Sequence, residues 1–308
     1  MVGRFAPSPS GLMHLGNART ALLAWLDARA RGGTMLLRIE DLDRDRCRPQ
    51  YAQAIRDDLA WLGLDWDAET RPQSLRDLDY AAAVERLSQQ GLVYECFCTR
   101  RELAAVASAP HGGDDRPAAY PGTCRELTAA QREHLRAAGK RPALRVRMPE
   151  GAVEVLDRLH GSGPRPVGGD VVVRRSDGLY AYQLAVVVDD GADGVTDVVR
   201  GDDLLGSTAR QVALQRLLGL PQPAYAHVPL MLGDDGERLA KRHGAVAVAD
   251  LRAAGDTAQE LVGALAHTAG IGSGGAVAAA GLLAGFDLTR VGRRPWRLAP
   301  GTPILSPT

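Results

Sequence analysis

A loop that mixes prolines, serines and a glycine with one histidine, Pro7-Ser8-Pro9-Ser10-Gly11-Leu12-Met13-His14, runs straight into the helix-forming stretch Leu15-Gly16-Asn17-Ala18-Arg19. Backbone N–H groups and the positive dipole end at a helix start hold phosphate. The His14 imidazole can donate to a phosphate oxygen, and Gly11 and Gly16 let a nucleotide approach with no Cβ in the way. An ordinary capped helix behind a proline loop uses the same residues. Far along the chain, Gly236-Glu237-Arg238-Leu239-Ala240-Lys241-Arg242-His243-Gly244 sets Lys241 in a basic loop between glycines. A lysine there can meet charge building on a triphosphate during displacement; a short basic run also serves as a solvated turn. A third group is Cys96 and Cys98, followed by Cys124 beyond a loop that contains Tyr120. Three thiolates fall one donor short of a tetrahedral zinc site, and three buried free thiols are the alternative. Cys47 lies far from them in sequence and reads as an ordinary half-buried thiol.

These residues need a scaffold, and the first half of the chain alternates strand and helix patterns. Val2 to Ala6 suits a short strand, and His14 to Arg31 spaces Leu15, Ala18, Leu22, Trp25 and Leu26 as an amphipathic helix. Thr34 to Ile39 follows as a buried strand, completing a β-α-β unit that predicts a parallel sheet with right-handed crossovers. Helices are expected at about 49–62, 75–90 and 207–218, with strands near 144–148, 171–174 and 227–232. The texture changes at Val93, where cysteines and a Gly/Pro-rich loop suggest an insertion; alternation returns after Tyr180. The expected organisation is therefore 1–92 as the first half of an α/β core, 93–165 as a metal-bearing insertion, 166–250 as the second half with the basic loop, and 251–308 as a short helical tail that frays after about residue 270.

Composition bounds the rest. The chain has 308 residues, 45% hydrophobic and 24% charged, with 37 basic residues against 37 acidic ones. No apolar run approaches the ~20 residues of a membrane span, so membrane association is not expected. Four cysteines do not make a disulfide scaffold, and no basic-then-apolar export signal opens the chain. A reducing cytoplasm and a monomer are expected. With no net charge, a nucleic-acid partner must be held by a local basic patch.

Taken together, His14-Leu15-Gly16-Asn17 and Arg238-Leu239-Ala240-Lys241-Arg242 resemble the two signature motifs, HIGH and KMSKS, of class I aminoacyl-tRNA synthetases. The stretches 3–20, 36–46 and 197–211 are similar to the glutamyl-tRNA synthetase group in the order that group has them. The resemblance implies a Rossmann-like parallel sheet, with Mg-ATP and L-glutamate as substrates and His14, Gly16, Asn17 and Lys241 as ATP-binding residues, His14 and Lys241 being catalytic. Full-length members carry an anticodon-binding region after the second motif, and only about 60 residues remain here. The resemblance therefore narrows to the truncated branch that activates glutamate without tRNA and esterifies it onto the queuosine base in the anticodon arm of tRNA(Asp). A truncated synthetase charging a tRNA 3′ end and a non-catalytic binding paralogue are the rivals.

A dicarboxylate amino acid needs two cationic clamps, for which Arg4 and Arg200 are the candidates, while Glu40 can take the ammonium group. The resemblance adds the 4–8 segment (Arg4, Phe5, Ala6, Pro7, Ser8) and Tyr182. Surface pairing of Arg200 with Asp202 or Asp203 is the plain alternative, and Asp41 and Asp43 read as structural acids. The resemblance also implies Tyr120 as the fourth ligand of a structural zinc with Cys96, Cys98 and Cys124; His111 is the more ordinary donor. Two positions depart from the family pattern: Ala240 replaces the usual serine and Arg238 the usual lysine.

Overall fold

A computed structural model describes residues 1–99, 101–103, 120–233, 235–237, 239 and 247–297. Lys241, Arg238, Ala240, Arg242 and His111 lie outside the described residues. Five strands, β1 (Val2–Phe5), β2 (Thr34–Leu37), β3 (Ala68–Glu69), β9 (Asp197–Gly201) and β10 (Ala224–Val228), form one sheet in the order β10-β9-β1-β2-β3. Every pairing in it is parallel, with β1 and β2 in register from Val2 opposite Thr34 to Phe5 opposite Leu37. Helices α1 (Leu15–Ala30) and α2 (Pro49–Trp61) cover one face; α3 (Asp77–Gln89), α5 (Tyr182–Ala192) and α6 (Leu205–Leu218) cover the other. Alternate strand residues feed the two cores: Met35 and Leu37 point to one, Leu36 to the other. Such two-sided burial explains why the strands read as continuous apolar runs.

The order of elements matches the expected α/β alternation, with two differences. Helix α1 is not amphipathic, since Leu15, Ala18, Leu22, Leu23, Leu26 and Ala28 are all buried around its circumference. Its outer side is covered by α8 (Ala258–Thr268) and by the chain beyond it, through Leu261, Leu265, Leu288 and Val291. Residues 271–297, where fraying is expected, therefore pack against the core. Their 3₁₀ turns at Ala279–Leu282 and Leu288–Arg290 lack helical periodicity but pack onto α1, and β12 (Trp296–Arg297) pairs in parallel with β11 (Met231–Leu232). Arg19 on α1 ties this side together by donating to the carbonyls of Thr268, at 3.2 Å, and Pro229.

Between the two halves of the sheet, β4 (Val93–Cys96), β5 (Ala143–Val146) and β8 (Val171–Arg174) make an antiparallel sheet, while β6 (Ala152–Val155) and β7 (Gly163–Pro166) form a hairpin. The antiparallel sheet takes its third strand from beyond residue 165. Helix α4 (Ala129–Ala137) is closed at its start by a capping box between Thr128 and Gln131. After β11, α7 (Val248–Ala254) precedes α8. No helix among the described residues is long and apolar enough to cross a membrane.

Candidate active site

Strand β1 ends at Phe5 and hands the chain to the 6–14 loop at the carboxyl edge of the sheet, where ligands bind in parallel α/β folds. His14 is the N-cap of α1: its Nδ1 accepts from the Asn17 backbone N–H at 3.3 Å, which leaves the ring proton of the neutral form on Nε2. A Cβ on Gly16 would come within 3.2 Å of the imidazole, whereas Gly11 faces open space. The glycine beside the histidine thus makes room for the ring as well as for a ligand. Ala247 forms an antiparallel bridge with His14, and Val248 N–H donates to the Met13 carbonyl at 2.9 Å. On the other flank, Leu239 N–H donates to the Met231 carbonyl at 2.9 Å. Leu239 is thus tied to Met231, which lies beside Gly16, and Ala247 and Val248 to the His14 loop; residues 240–246, Lys241 among them, lie outside the described residues.

Next to this loop the chain buries a cluster of charges. Arg4 Nε lies 3.3 Å from Asp190, and Arg38, fully buried, reaches Asp190 at 2.6 Å, Asp193 at 3.1 Å and Glu40 at 3.6 Å. Arg76 adds a contact to Asp193 at 2.6 Å, and Asp189 is held by Gln73 and Tyr80. Four carboxyl groups thus face three guanidiniums, one negative charge in excess when all four are ionised. Glu40 carries the strain: burial pushes its carboxyl up to about 7 despite Arg38 and Arg4 nearby. Asp190, also buried but gripped by Arg4 and Arg38, is held below the ordinary aspartate range. A ligand cation placed against Glu40 would complete the cluster.

Glu40, Ser8, Arg46, Cys47, Tyr180 and Tyr182 line a cavity of about 330 Å³. Burial raises the Tyr182 phenol, and Arg200, Glu40 and Arg4 all lie close enough to act on it. The expected residues Arg4, Ser8, Glu40, Tyr182 and Arg200 therefore share one neighbourhood. Pro7 contributes backbone, its carbonyl accepting from Glu40 N–H at 3.0 Å; Ala6 is half-buried, and the Phe5 side chain belongs to the core. Asp41 holds Ser74 at 2.8 and 2.6 Å and is structural as expected, while Asp43 lines the cavity. Cys47, expected as an ordinary half-buried thiol, is half-buried and stands at the same cavity with Sγ 3.8 Å from the Glu40 carbonyl. Arg38 lies in the 36–46 stretch with Glu40, but nothing in the sequence marks Arg38 or Asp190 as part of the site.

Arg200, near the end of β9, is 4% exposed and makes no ion pair among the described residues. Nε donates to His227 Nε2 at 3.0 Å and Nη2 to Thr208 Oγ1 at 2.9 Å, while Nη1 is buried with no hydrogen-bond partner among the described residues. Pairing with Asp202 or Asp203 is not what the structure shows. A buried guanidinium with a donor to spare is a site for a carboxylate.

In the insertion, Cys96, Cys98 and Cys124 bring their sulfurs within 4.8 Å of one another. Cys98 and Cys124 are 3.6 Å apart, and Tyr120 Oη is 3.5 Å from Cys96 and 3.8 Å from Cys98. Ligands about 2.0–2.3 Å from a tetrahedral zinc would stand roughly 3.5–3.8 Å from each other. The Cys98–Cys124, Cys96–Tyr120 and Cys98–Tyr120 separations fit that figure, and the Cys124 N–H donates to Tyr120 Oη at 2.8 Å. The Arg145 guanidinium, 3.9 Å from the Tyr120 ring centre, adds positive charge. Burial opposes the Cys96 thiolate, yet bonds from Tyr120, the Cys98 backbone and Arg145 hold it below the usual thiol range; Cys98 is pushed up to about 12 by burial and the neighbouring sulfurs. The cluster can hold a metal ion.

A parallel α/β sheet whose first strand hands the chain, at its carboxyl edge, to a histidine-capped helix is the arrangement of a class I synthetase core. The family described as "tRNA synthetases class I (E and Q), catalytic domain" matches residues 1–278, and the chain belongs to that family. It is similar to curated relatives named glutamyl-Q tRNA(Asp) synthetase: 51% identical to that of Symbiobacterium thermophilum over 97% of this chain and 96% of the relative, and 55% identical to that of Nocardia farcinica over 96% and 92%. Among solved structures, glutamate-tRNA synthetase of Elizabethkingia anophelis superposes with a TM-score of 0.82 at 26% identity, over 97% of this chain and 68% of the other.

Proposed function

We propose that this protein activates L-glutamate with ATP, without needing tRNA, and transfers it to the queuosine base in the anticodon of tRNA(Asp). The observation that carries the glutamate half is a pair of groups close to Tyr182 that keep capacity for a ligand. Glu40 is a carboxylate in excess, complementary to an ammonium group, and Arg200 offers a donor complementary to a carboxylate. The name shared by relatives at about half identity over nearly their whole length supports the acceptor.

In the first step a glutamate α-carboxylate oxygen attacks the α-phosphorus of ATP in line, forming the acyl-phosphate bond and expelling pyrophosphate. The start of α1 and the His14 ring face the phosphates, and Lys241 meets the charge that builds on them. Arg4, Arg200, Tyr182 and the Ser8 segment hold the amino acid, and Glu40 its ammonium group. In the second step a hydroxyl of the modified base attacks the adenylate carbonyl and AMP leaves. Most of the acceleration comes from positioning and from charge stabilisation. Zinc on Cys96, Cys98, Cys124 and Tyr120 would be structural, cross-linking β4 to the 120–124 loop.

ATP–pyrophosphate exchange tests the proposal. Exchange that requires glutamate and proceeds in the absence of any tRNA is expected. Exchange that appears only after tRNA is added would point to a synthetase charging a 3′ end, and glutamate binding without exchange would point to a non-catalytic paralogue.

A further inference from the structure

Arg200 is oriented by neutral acceptors alone. His227 on β10 is fully buried; its Nδ1 lies 2.5 Å from Asp157 Oδ2, and its Nε2 accepts from Arg200 Nε at 3.0 Å. Asp157, between β6 and β7, uses its other oxygen to accept the backbone N–H groups of Leu159 at 2.9 Å and His160 at 2.8 Å. We propose that His227, with its tautomer set by Asp157, acts together with Thr208 as a positioning set that aims the Arg200 guanidinium, leaving Nη1 for a carboxylate of the substrate. The inference rests on the reading above that Arg200 grips glutamate.

The proton on His227 has one self-consistent assignment, whether the Thr208 hydroxyl donates to Nε2 at 3.0 Å or to the Leu204 carbonyl at 3.2 Å. Asp157 is ionised, held below the ordinary range by His227 and two backbone donors in spite of its burial, so it can only accept and His227 Nδ1 must carry the proton. Nε2 is then a lone pair, the acceptor that Arg200 Nε needs. Burial keeps the imidazole neutral by pulling its pKa down to about 4. The consequence is electrostatic. A carboxylate partner would orient Arg200 but cancel its charge, whereas an imidazole, a hydroxyl and the Tyr225 ring, 4.9 Å from the guanidinium carbon, orient it and leave the positive charge for the ligand. Asp157 reaches the site from the far side of the insertion, and its bridge to Tyr225 couples that segment to β10.

Asp157→Asn tests the set with almost no change of shape. The carbonyl of the new side-chain amide would stay on the two backbone donors, which turns the amide N–H toward His227 Nδ1. The ring proton must then move to Nε2, which stands 3.0 Å from both Arg200 Nε and Thr208 Oγ1: the arginine N–H loses its acceptor, and the hydroxyl that serves Arg200 Nη2 is drawn to the ring proton. Hydrogen bonds of charged groups are the strong ones, so the glutamate Kd measured by calorimetry should rise about tenfold or more, with the ATP Kd unchanged within about twofold. Nitrogen-15 NMR of labelled histidine should show the His227 proton on Nε2 in place of Nδ1, a signature that mere destabilisation would not produce. Should Asp157→Asn not fold, Thr208→Val removes the acceptor of Nη2 and should weaken glutamate binding with the tautomer unchanged. A folded Asp157→Asn or Thr208→Val protein that binds glutamate as the wild type does would overturn the inference. A wild-type protein that binds ATP but not glutamate would overturn the reading of Arg200 on which it rests.

Discussion

Glutamate binding should be coupled to the release of a proton from Glu40, and the size of that coupling follows from the charge cluster. In the free protein burial holds the Glu40 carboxyl at about 7. An ammonium group against it favours the ionised form and draws the pKa down by about two units or more, as an opposite charge at contact distance does. At about pH 8 nearly all molecules are ready to bind. At about pH 6 only about one in ten carries the ionised carboxylate, so the apparent Kd for glutamate should be roughly tenfold weaker, with a slope approaching one proton per ligand. The sign is fixed: the free form holds the proton and the complex does not, so affinity falls as pH falls through 7. Neither substrate carboxylate titrates there, since a glutamate side chain has a pKa of about 4.3, and His227 titrates far lower. Calorimetric titration in two buffers of different ionisation enthalpy measures the proton count directly, with about half a proton released near pH 7. Glu40→Gln should bind more weakly and lose the pH dependence between about 6 and 8. A wild-type Kd that is flat over that range, or that tightens as pH falls, would refute the role of Glu40 and the charge-excess argument with it.

Three other outcomes are expected. Lys241→Ala should lower kcat for glutamate-dependent exchange by about a hundredfold or more while the glutamate Kd changes little, because its charge acts on the phosphates in the transition state; an unchanged kcat contradicts that role. Purified protein should contain about one zinc per chain, and Cys98→Ser should lower that content and loosen β4 and the 120–124 loop. Loss of metal in Tyr120→Phe assigns the fourth ligand to the phenol, whereas loss in His111→Ala with retention in Tyr120→Phe assigns it to the histidine. Arg38→Met should cost about 3–5 kcal/mol of stability near neutral pH by leaving Glu40, Asp189, Asp190 and Asp193 without their common partner, measurable by urea unfolding; a loss below about 1 kcal/mol would mean the cluster is not held by this guanidinium.

What could be read in the sequence was what is local in it. The β1 strand, the proline loop and the His14 cap lie within the first turn of the β-α-β unit, so turn chemistry and helix periodicity find them. Arg4 stands near the end of β1 and Glu40 just beyond the end of β2, and a β-α-β unit brings such ends together. The Cys96, Cys98, Tyr120 and Cys124 spacing is compact for the same reason. Asp157 and His227 are 70 residues apart, one on the loop after β6 and the other on β10. Nothing in a lone histidine of an apolar strand shows that it faces an arginine near the end of the neighbouring strand. Arg38, Asp189, Asp190 and Asp193 escaped notice because charges near a strand end and on a helix look solvated until the two are packed together. The 271–297 segment was unreadable as structure because its 3₁₀ turns carry no regular apolar period, and its burial against α1 hid behind a helix that looked amphipathic.

The acceptor is tested most directly with an anticodon stem-loop of tRNA(Asp), which has no 3′ acceptor end. Radiolabelled glutamate and ATP are supplied with the stem-loop carrying queuosine, with the same stem-loop carrying guanosine, and with unmodified full-length tRNA. Stable labelling of the queuosine stem-loop alone is the expected result. Labelling of full-length tRNA at its 3′ end, or labelling of the stem-loop regardless of queuosine, would contradict transfer to the modified base.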